Sequence, residues 1–99
     1  MDIRIEIDKN NLITNGFVIY DKNYNELASG IIYFEYIPDN DSYMIDSIEV
    51  IDNFIFENDS KVNSIITKNL ELDDLESTDK LIKIELTETE KSKLQNLIN

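Results

Sequence analysis

Ile3, Ile5 and Ile7 alternate with Asp2, Arg4, Glu6 and Asp8 at the head of the chain. An apolar residue at every second position fits an extended strand with one buried and one wet face. After turn residues Lys9-Asn10-Asn11, the signature resumes. Leu12 to Tyr20 is apolar and β-branched, and Asn15-Gly16 within it predicts a tight turn or a bulge. Asp21 to Asn25 is a polar loop, and Glu26 to Ile37 reads as the next strand, with Gly30 at a bulge or sharp bend. Pro38 to Ser42 is turn chemistry. Tyr43 to Phe56 then reads as extended, broken near Asp52-Asn53. Its even positions, Met44, Ile48, Val50, Phe54 and Phe56, make the expected core face, with Asp46 and Asp52 as exceptions.

Beyond Phe56 the period changes. Val62, Ile65, Ile66 and Leu70 share one face of a helix, with Ser60 placed to cap it. Lys80 to Leu86 reads as a last strand. Thr87-Glu88-Thr89-Glu90 is a capping box, in which Thr87 and Glu90 each satisfy the other's backbone N–H. Leu94, Leu97 and Ile98 form a stripe behind it. The expectation is a single α+β domain over residues 1–99. An antiparallel, meander-like sheet carries one or two short helices, including one at the C-terminus.

The residue inventory narrows the chemistry. Cys and His are both absent, which removes disulfide frameworks, zinc sites of the usual type, thiol catalysis and His-based acid–base chemistry. Carboxylate pairs can hydrolyse glycosides, but they need a cleft and burial, and a short chain with two Gly has little loop from which to build one. The expectation is a non-enzyme with no cofactor and no metal. Asp39-Asn40-Asp41 begins like a calcium loop. However, Met44 stands where that loop needs Gly, and Val50 stands where it needs Glu. The run Glu71, Asp73, Asp74, Glu76 and Asp79 has no ligand spacing and reads as a solvated loop. The start MDIRIEID lacks the basic and apolar regions of a signal peptide, and no segment has the length of a membrane span. A cytoplasmic protein is expected. Ile occurs 17 times and Asn 12 times, against five residues for Gly, Ala, Arg and Pro together. That is the codon bias of a low-GC bacterium or its phages.

The positive signal is where the acid sits. Formal net charge is -12, from 21 Asp plus Glu against 9 Lys plus Arg. Direct binding to nucleic acid or to an anionic membrane is therefore not expected, because both need clustered positive charge. From Asn23 to Ser60 there is no Lys or Arg, while Glu26, Glu35, Asp39, Asp41, Asp46, Glu49, Asp52, Glu57 and Asp59 all fall there. Folding does not require a run with one sign of charge, since exposed like charges repel until screened over about 8 Å. Glu35, Asp39, Asp41, Asp46, Glu49, Asp52, Glu57 and Asp59 are accordingly the expected partner-binding residues. Tyr24, Tyr33, Tyr36 and Tyr43 are interspersed as possible aromatic anchors. A sheet face bearing such residues can carry charge at a density comparable with duplex DNA, one per ~1.7 Å of axis.

Small, Cys-free, strongly acidic chains of low-GC composition resemble the phage-encoded inhibitors of bacterial defence nucleases, the anti-CRISPR and anti-restriction proteins that act as DNA mimics. The resemblance covers composition and the acidic runs between Asn23 and Asp79 and involves no motif. It implies a viral protein that acts in the host cytoplasm as a monomer or small homo-oligomer. Such a protein occludes the basic nucleic-acid channel of a host nuclease or other nucleic-acid-binding protein. Two further readings stand beside it. The opening MDIRIEIDKNNLITNGFVIYDK is loosely similar to the strand-rich starts of small phage tail or baseplate proteins, and an immunity or antitoxin protein would use the same electrostatics against a basic toxin. Excess acid also serves solubility by itself.

Overall fold

The isoleucines of the opening segment do become one face of a strand, and it lies inside the sheet. In the computed structural model, which describes residues 3–9, 14–53, 59–70, 80–84 and 86–96, the elements are β1 (Arg4–Asp8), β2 (Thr14–Tyr20), β3 (Glu26–Ile37), β4 (Ser42–Asn53), α1 (Asp59–Asn69), β5 (Leu81–Ile84) and α2 (Glu88–Asn96). The strands form one antiparallel sheet in the order β4-β3-β2-β1-β5. β1 to β4 are a meander, and the chain then returns to add β5 at the opposite edge. The architecture is α+β with its last helix near the C-terminus. The Asn10-Asn11 turn, Phe54, Phe56, Glu57, the acidic run from Glu71 to Asp79, Leu97 and Ile98 lie outside the described residues.

Register builds the core row by row. Ile5 pairs with Ile19 on one side and Ile84 on the other, and Ile7 with Phe17 and Ile82. All six are buried, as are Ile32 and Phe34 of β3. Val62 and Ile66 of α1 and Leu94 of α2 join the same cluster, so both helices cover the face from which these strand residues point. Burying each Ile or Phe contributes roughly 1.5–3 kcal/mol.

Three local expectations need correction. Asn15-Gly16 is neither turn nor bulge. Both residues sit in unbroken register, Asn15 opposite Ile32 and Gly16 between Asp8 and Ile31. The core face of β4 is not its even positions. Two bulges, one opposite Ser29/Gly30 and one opposite Tyr33/Phe34, shift the phase, so the residues packed inward are Tyr43, Ile45, Ile48 and Val50. Met44 is exposed. The bulges place the extra residues Asp46 and Ile51 at the surface, which is why acid at Asp46 interrupts no core. Finally, Ser60 does not cap α1: the helix already includes Asp59, and Asp59 Oδ1 accepts a 2.9 Å bond from Asn53 Nδ2.

Other expectations hold. β3 spans Glu26–Ile37. Gly30 stands at a bulge where a Cβ would overlap the Glu49 carbonyl oxygen and come within 2.8 Å of Phe17 Cε1. The capping box is formed at α2, with Thr87 N donating to Glu90 Oε1 at 3.0 Å and Glu90 N to Thr87 Oγ1 at 3.2 Å. The long edge strand β4 is blunted by its two bulges and by Asn63 of α1, whose Nδ2 donates to the Ile48 carbonyl at 3.3 Å. Such devices obstruct edge-to-edge strand pairing.

Among the described residues, Asn15 is the one buried polar residue in the core, and neither of its side-chain amide atoms has a partner there. An unsatisfied buried polar group costs about 1–3 kcal/mol. The Asn15→Leu variant, similar in size, is expected to gain about that much stability. The check is a higher urea midpoint at an unchanged m value.

Candidate functional site

The strand faces that do not point into the core make the other surface of the sheet. Across it run the rows Lys83-Glu6-Val18-Ser29-Asp52 and Leu81-Asp8-Gly16-Ile31-Glu49. Glu49 and Asp52 of β4, with Asp46 at its bulge and Glu35 of β3 opposite Met44, form an acidic margin. On the β1 side, Glu6 and Asp8 are balanced by Arg4 on the same strand face and by Lys83 opposite Glu6. Between them lies a strip without charge: Gly16, Val18, Ser29 and Ile31. β1 and β4 are three strand spacings apart, about 14 Å at ~4.8 Å each.

Two tyrosines are tied to carboxylates, one in the acidic margin and one at the β3–β4 turn. Tyr33 Oη donates to Glu49 Oε2 at 3.2 Å, and Tyr36 Oη donates to Asp41 Oδ1 at 2.6 Å. Tyr36 also packs against Tyr43, with ring centroids 5.3 Å apart. Asp41 adopts a φ of 48° in the β3–β4 turn, a conformation that Asp tolerates better than most residues. The turn is closed by Asn40 N to Ile37 O and Asp41 N to Pro38 O. Pro38 to Asp41 is thus a preformed acidic tip.

The eight residues expected to bind a partner divide by location. Glu35, Asp46, Glu49 and Asp52 are exposed and gather on the β3–β4 side of the open face. Asp39 is exposed at the tip. Asp41 is exposed there too, but it also holds the turn through Tyr36. Asp59 is exposed in the first turn of α1, where a negative charge favours the helix dipole. Glu57 lies outside the described residues. Runs of acid along the chain do not reveal Glu6 and Asp8, because only the meander brings β1 onto the same open face as β4. Their alternation with Ile5 and Ile7 already placed them on the wet face.

The hydroxyls report the field. Tyr33 and Tyr36 hold their protons above the usual value of 10.0, first because each donates to a carboxylate, Glu49 and Asp41 respectively. Tyr20 is raised too, first by burial and then by Glu6, Glu26 and Asp8. Because the folded hydroxyls lose their protons later than the unfolded ones, their contribution to stability is complete below about pH 10. It is lost as pH rises through the folded values. Tyrosinate absorbance of the folded chain is expected to develop later for these three than in denaturant. In Glu49→Gln, the Tyr33 step should move down toward its ordinary value, and an unmoved step would mean that the carboxylate is not the cause.

Comparison with protein-family models, curated proteins and solved structures finds no match for the chain. Among the described residues there is no grouping of three or more acidic side chains that could hold a metal ion, and no helix is long and apolar enough to cross a membrane.

Proposed function

We propose that the chain is an acidic inhibitor that occupies the basic nucleic-acid channel of a partner protein, a nucleic-acid mimic of the anti-CRISPR kind. The observation that carries this reading is the gathering of Glu35, Asp46, Glu49 and Asp52 from β3 and β4 as an acidic margin on the open side of the sheet, beside an uncharged strip. Helices cover the other face, so the acid is free to meet a partner's Arg and Lys through charge-assisted bonds. The long axis measures 42 Å. The two short extents, 22 and 21 Å, give the rod-like outline that such a channel accepts.

The test is a capture from host lysate at low and high salt, followed by competition. A basic partner should be retained at low salt and released at high salt, and labelled DNA or RNA should displace the chain from it. The chain itself should shift no nucleic acid in a gel at physiological salt. A direct shift would overturn the proposal. Salt-insensitive ring-like oligomers with no captured partner would instead fit a tail or baseplate component, and capture of a basic toxin would fit an immunity protein.

A further inference from the structure

One corner of the molecule reverses the sign of the rest. Where the start of β1, the end of β5, the β2–β3 loop and α2 meet, a cavity of about 490 Å³ is walled by Arg4, Lys83 and Lys91, with Glu6 as the one carboxylate among the described lining residues. Its apolar lining comes from Ile3, Ile84 and Leu86. In a chain with 9 basic residues, three of them around one cavity is a concentration that the fold has to assemble, since they come from β1, β5 and α2. The size falls within the range of small-molecule sites, roughly 300–1,000 Å³.

The mouth is furnished by a strained residue. Tyr24 has a φ of 61°, a conformation that costs a bulky residue about 1–3 kcal/mol and persists only when its surroundings enforce it. Asp21 enforces it, accepting bonds from Asn23 N at 2.8 Å, Asn25 N at 2.9 Å and Asn25 Nδ2 at 3.0 Å. These bonds, the Asn25 side chain first, also hold the Asp21 carboxyl below its ordinary pKa. The loop thereby sets the Tyr24 ring beneath the Arg4 guanidinium, 4.9 Å from carbon to ring centroid, and edge-on to Tyr20 at 5.5 Å. Yet Tyr24 stays 55% exposed, so core packing does not account for the strain.

We infer that this corner binds a small amphiphilic anion, a carboxylate, sulfonate or phosphate headgroup on a flat apolar body. The headgroup lies among Arg4, Lys83 and Lys91, and the body lies on Ile3, Ile84 and Leu86 beside the Tyr24 ring. The cations already have neighbours: Lys83 stands opposite Glu6 in the ladder, and Lys91 lies 3.6 Å from Glu88, whose side chain is exposed. Exposed ion pairs are weak and exchange readily, and the inference rests on the local sign of charge, not on unpaired groups. The carboxylates of β4 lie about 14 Å away across the sheet, beyond the ~8 Å over which charges act at physiological ionic strength.

The probe is anilinonaphthalene sulfonate, with uncharged phenylnaphthylamine as its counterpart. One sulfonate per chain is expected to bind with a rise in fluorescence, and the uncharged probe should bind at least about tenfold more weakly, the equivalent of ~1.4 kcal/mol. Lys83→Glu, an exposed change on an edge strand, should weaken sulfonate binding by a similar factor, with a small fall in melting temperature because a carboxylate then faces Glu6. Methyl signals of Ile3, Ile84 and Leu86 should shift on titration of the unmodified chain. Equal binding of both probes, unchanged binding in Lys83→Glu or methyl shifts confined elsewhere would each overturn the inference. If Lys83→Glu fails to fold, the methyl shifts and the probe comparison decide alone.

Discussion

Changing Glu35, Asp46, Glu49 and Asp52 together to lysine is expected to abolish binding to a basic partner while leaving the fold intact. All four side chains are exposed on the β3–β4 side of the open face. A close charge pair across an interface contributes about 1.5 kcal/mol or more, so four lost pairs amount to ~6 kcal/mol before any repulsion is added. That is roughly a ten-thousandfold rise in Kd. Stability should move little, because exposed substitutions usually change it by about 0.5 kcal/mol or less, these relieve like-charge repulsion, and the one bond lost among the described residues is the exposed Tyr33–Glu49 contact. Asp41 and Asp59 do not belong in the set. Asp41 holds the β3–β4 turn through Tyr36 at positive φ, and Asp59 supports the start of α1. The control is reversal of Glu88 and Glu90 on α2, which packs against the core face. It breaks the reciprocal bonds between Thr87 and Glu90 and should lower the melting temperature while partner affinity, read by calorimetry, stays near that of the parent. The reverse pattern would place the interface at α2 and end the mimicry proposal.

The parts of this arrangement legible in sequence are those governed by local chemistry. Ile3, Ile5 and Ile7 announce a buried strand face through a period of two, and Thr87 with Glu90 announces a helix start through reciprocal hydrogen bonding. Both signals are complete within a few residues. β4 shows where local reading fails. A bulge adds one residue and inverts every side chain beyond it, so a strand with two bulges has no single parity, and a reading by even positions puts Met44 on the wrong face but Ile48 and Val50 on the right one. Gly30 marked one bulge because it is needed where the Glu49 carbonyl crowds the strand. The other, opposite Tyr33/Phe34, has no glycine to signal it. The open face was half legible for a related reason. Runs along the chain show the acids of β3 and β4, but only strand order sets Glu6 and Asp8 across from them. The cationic corner was not legible at all, since Arg4, Lys83 and Lys91 become neighbours only when β5 returns to the edge beside β1.

Leu94→Ala should produce the largest loss of stability of any single change considered for the helices. Leu94 is fully buried, and it is the buried residue of α2 among those described. The rest of that helix is rich in Glu and Lys, and its nine residues are too few for a helix to hold itself together in water. Docking of α2 therefore depends on this side chain, with the capping box fixing where the helix begins. Truncating a buried Leu to Ala costs about 2–5 kcal/mol, according to how far the neighbours close the cavity. Domains of this kind have ~5–15 kcal/mol in all. At ~4–8 °C per kcal/mol for a chain of this length, the melting temperature should fall by more than 8 °C. Thr87→Ala, which removes only the cap, should cost about 0.5–2 kcal/mol. The two losses should combine less than additively if α2 undocks in the Leu94 variant, because a cap stabilises nothing once its helix has melted. A double-mutant cycle by urea unfolding reads this directly. Full additivity together with an unchanged m value would show that α2 remains helical without its anchor, and the dependence of the helix on Leu94 would have to be abandoned.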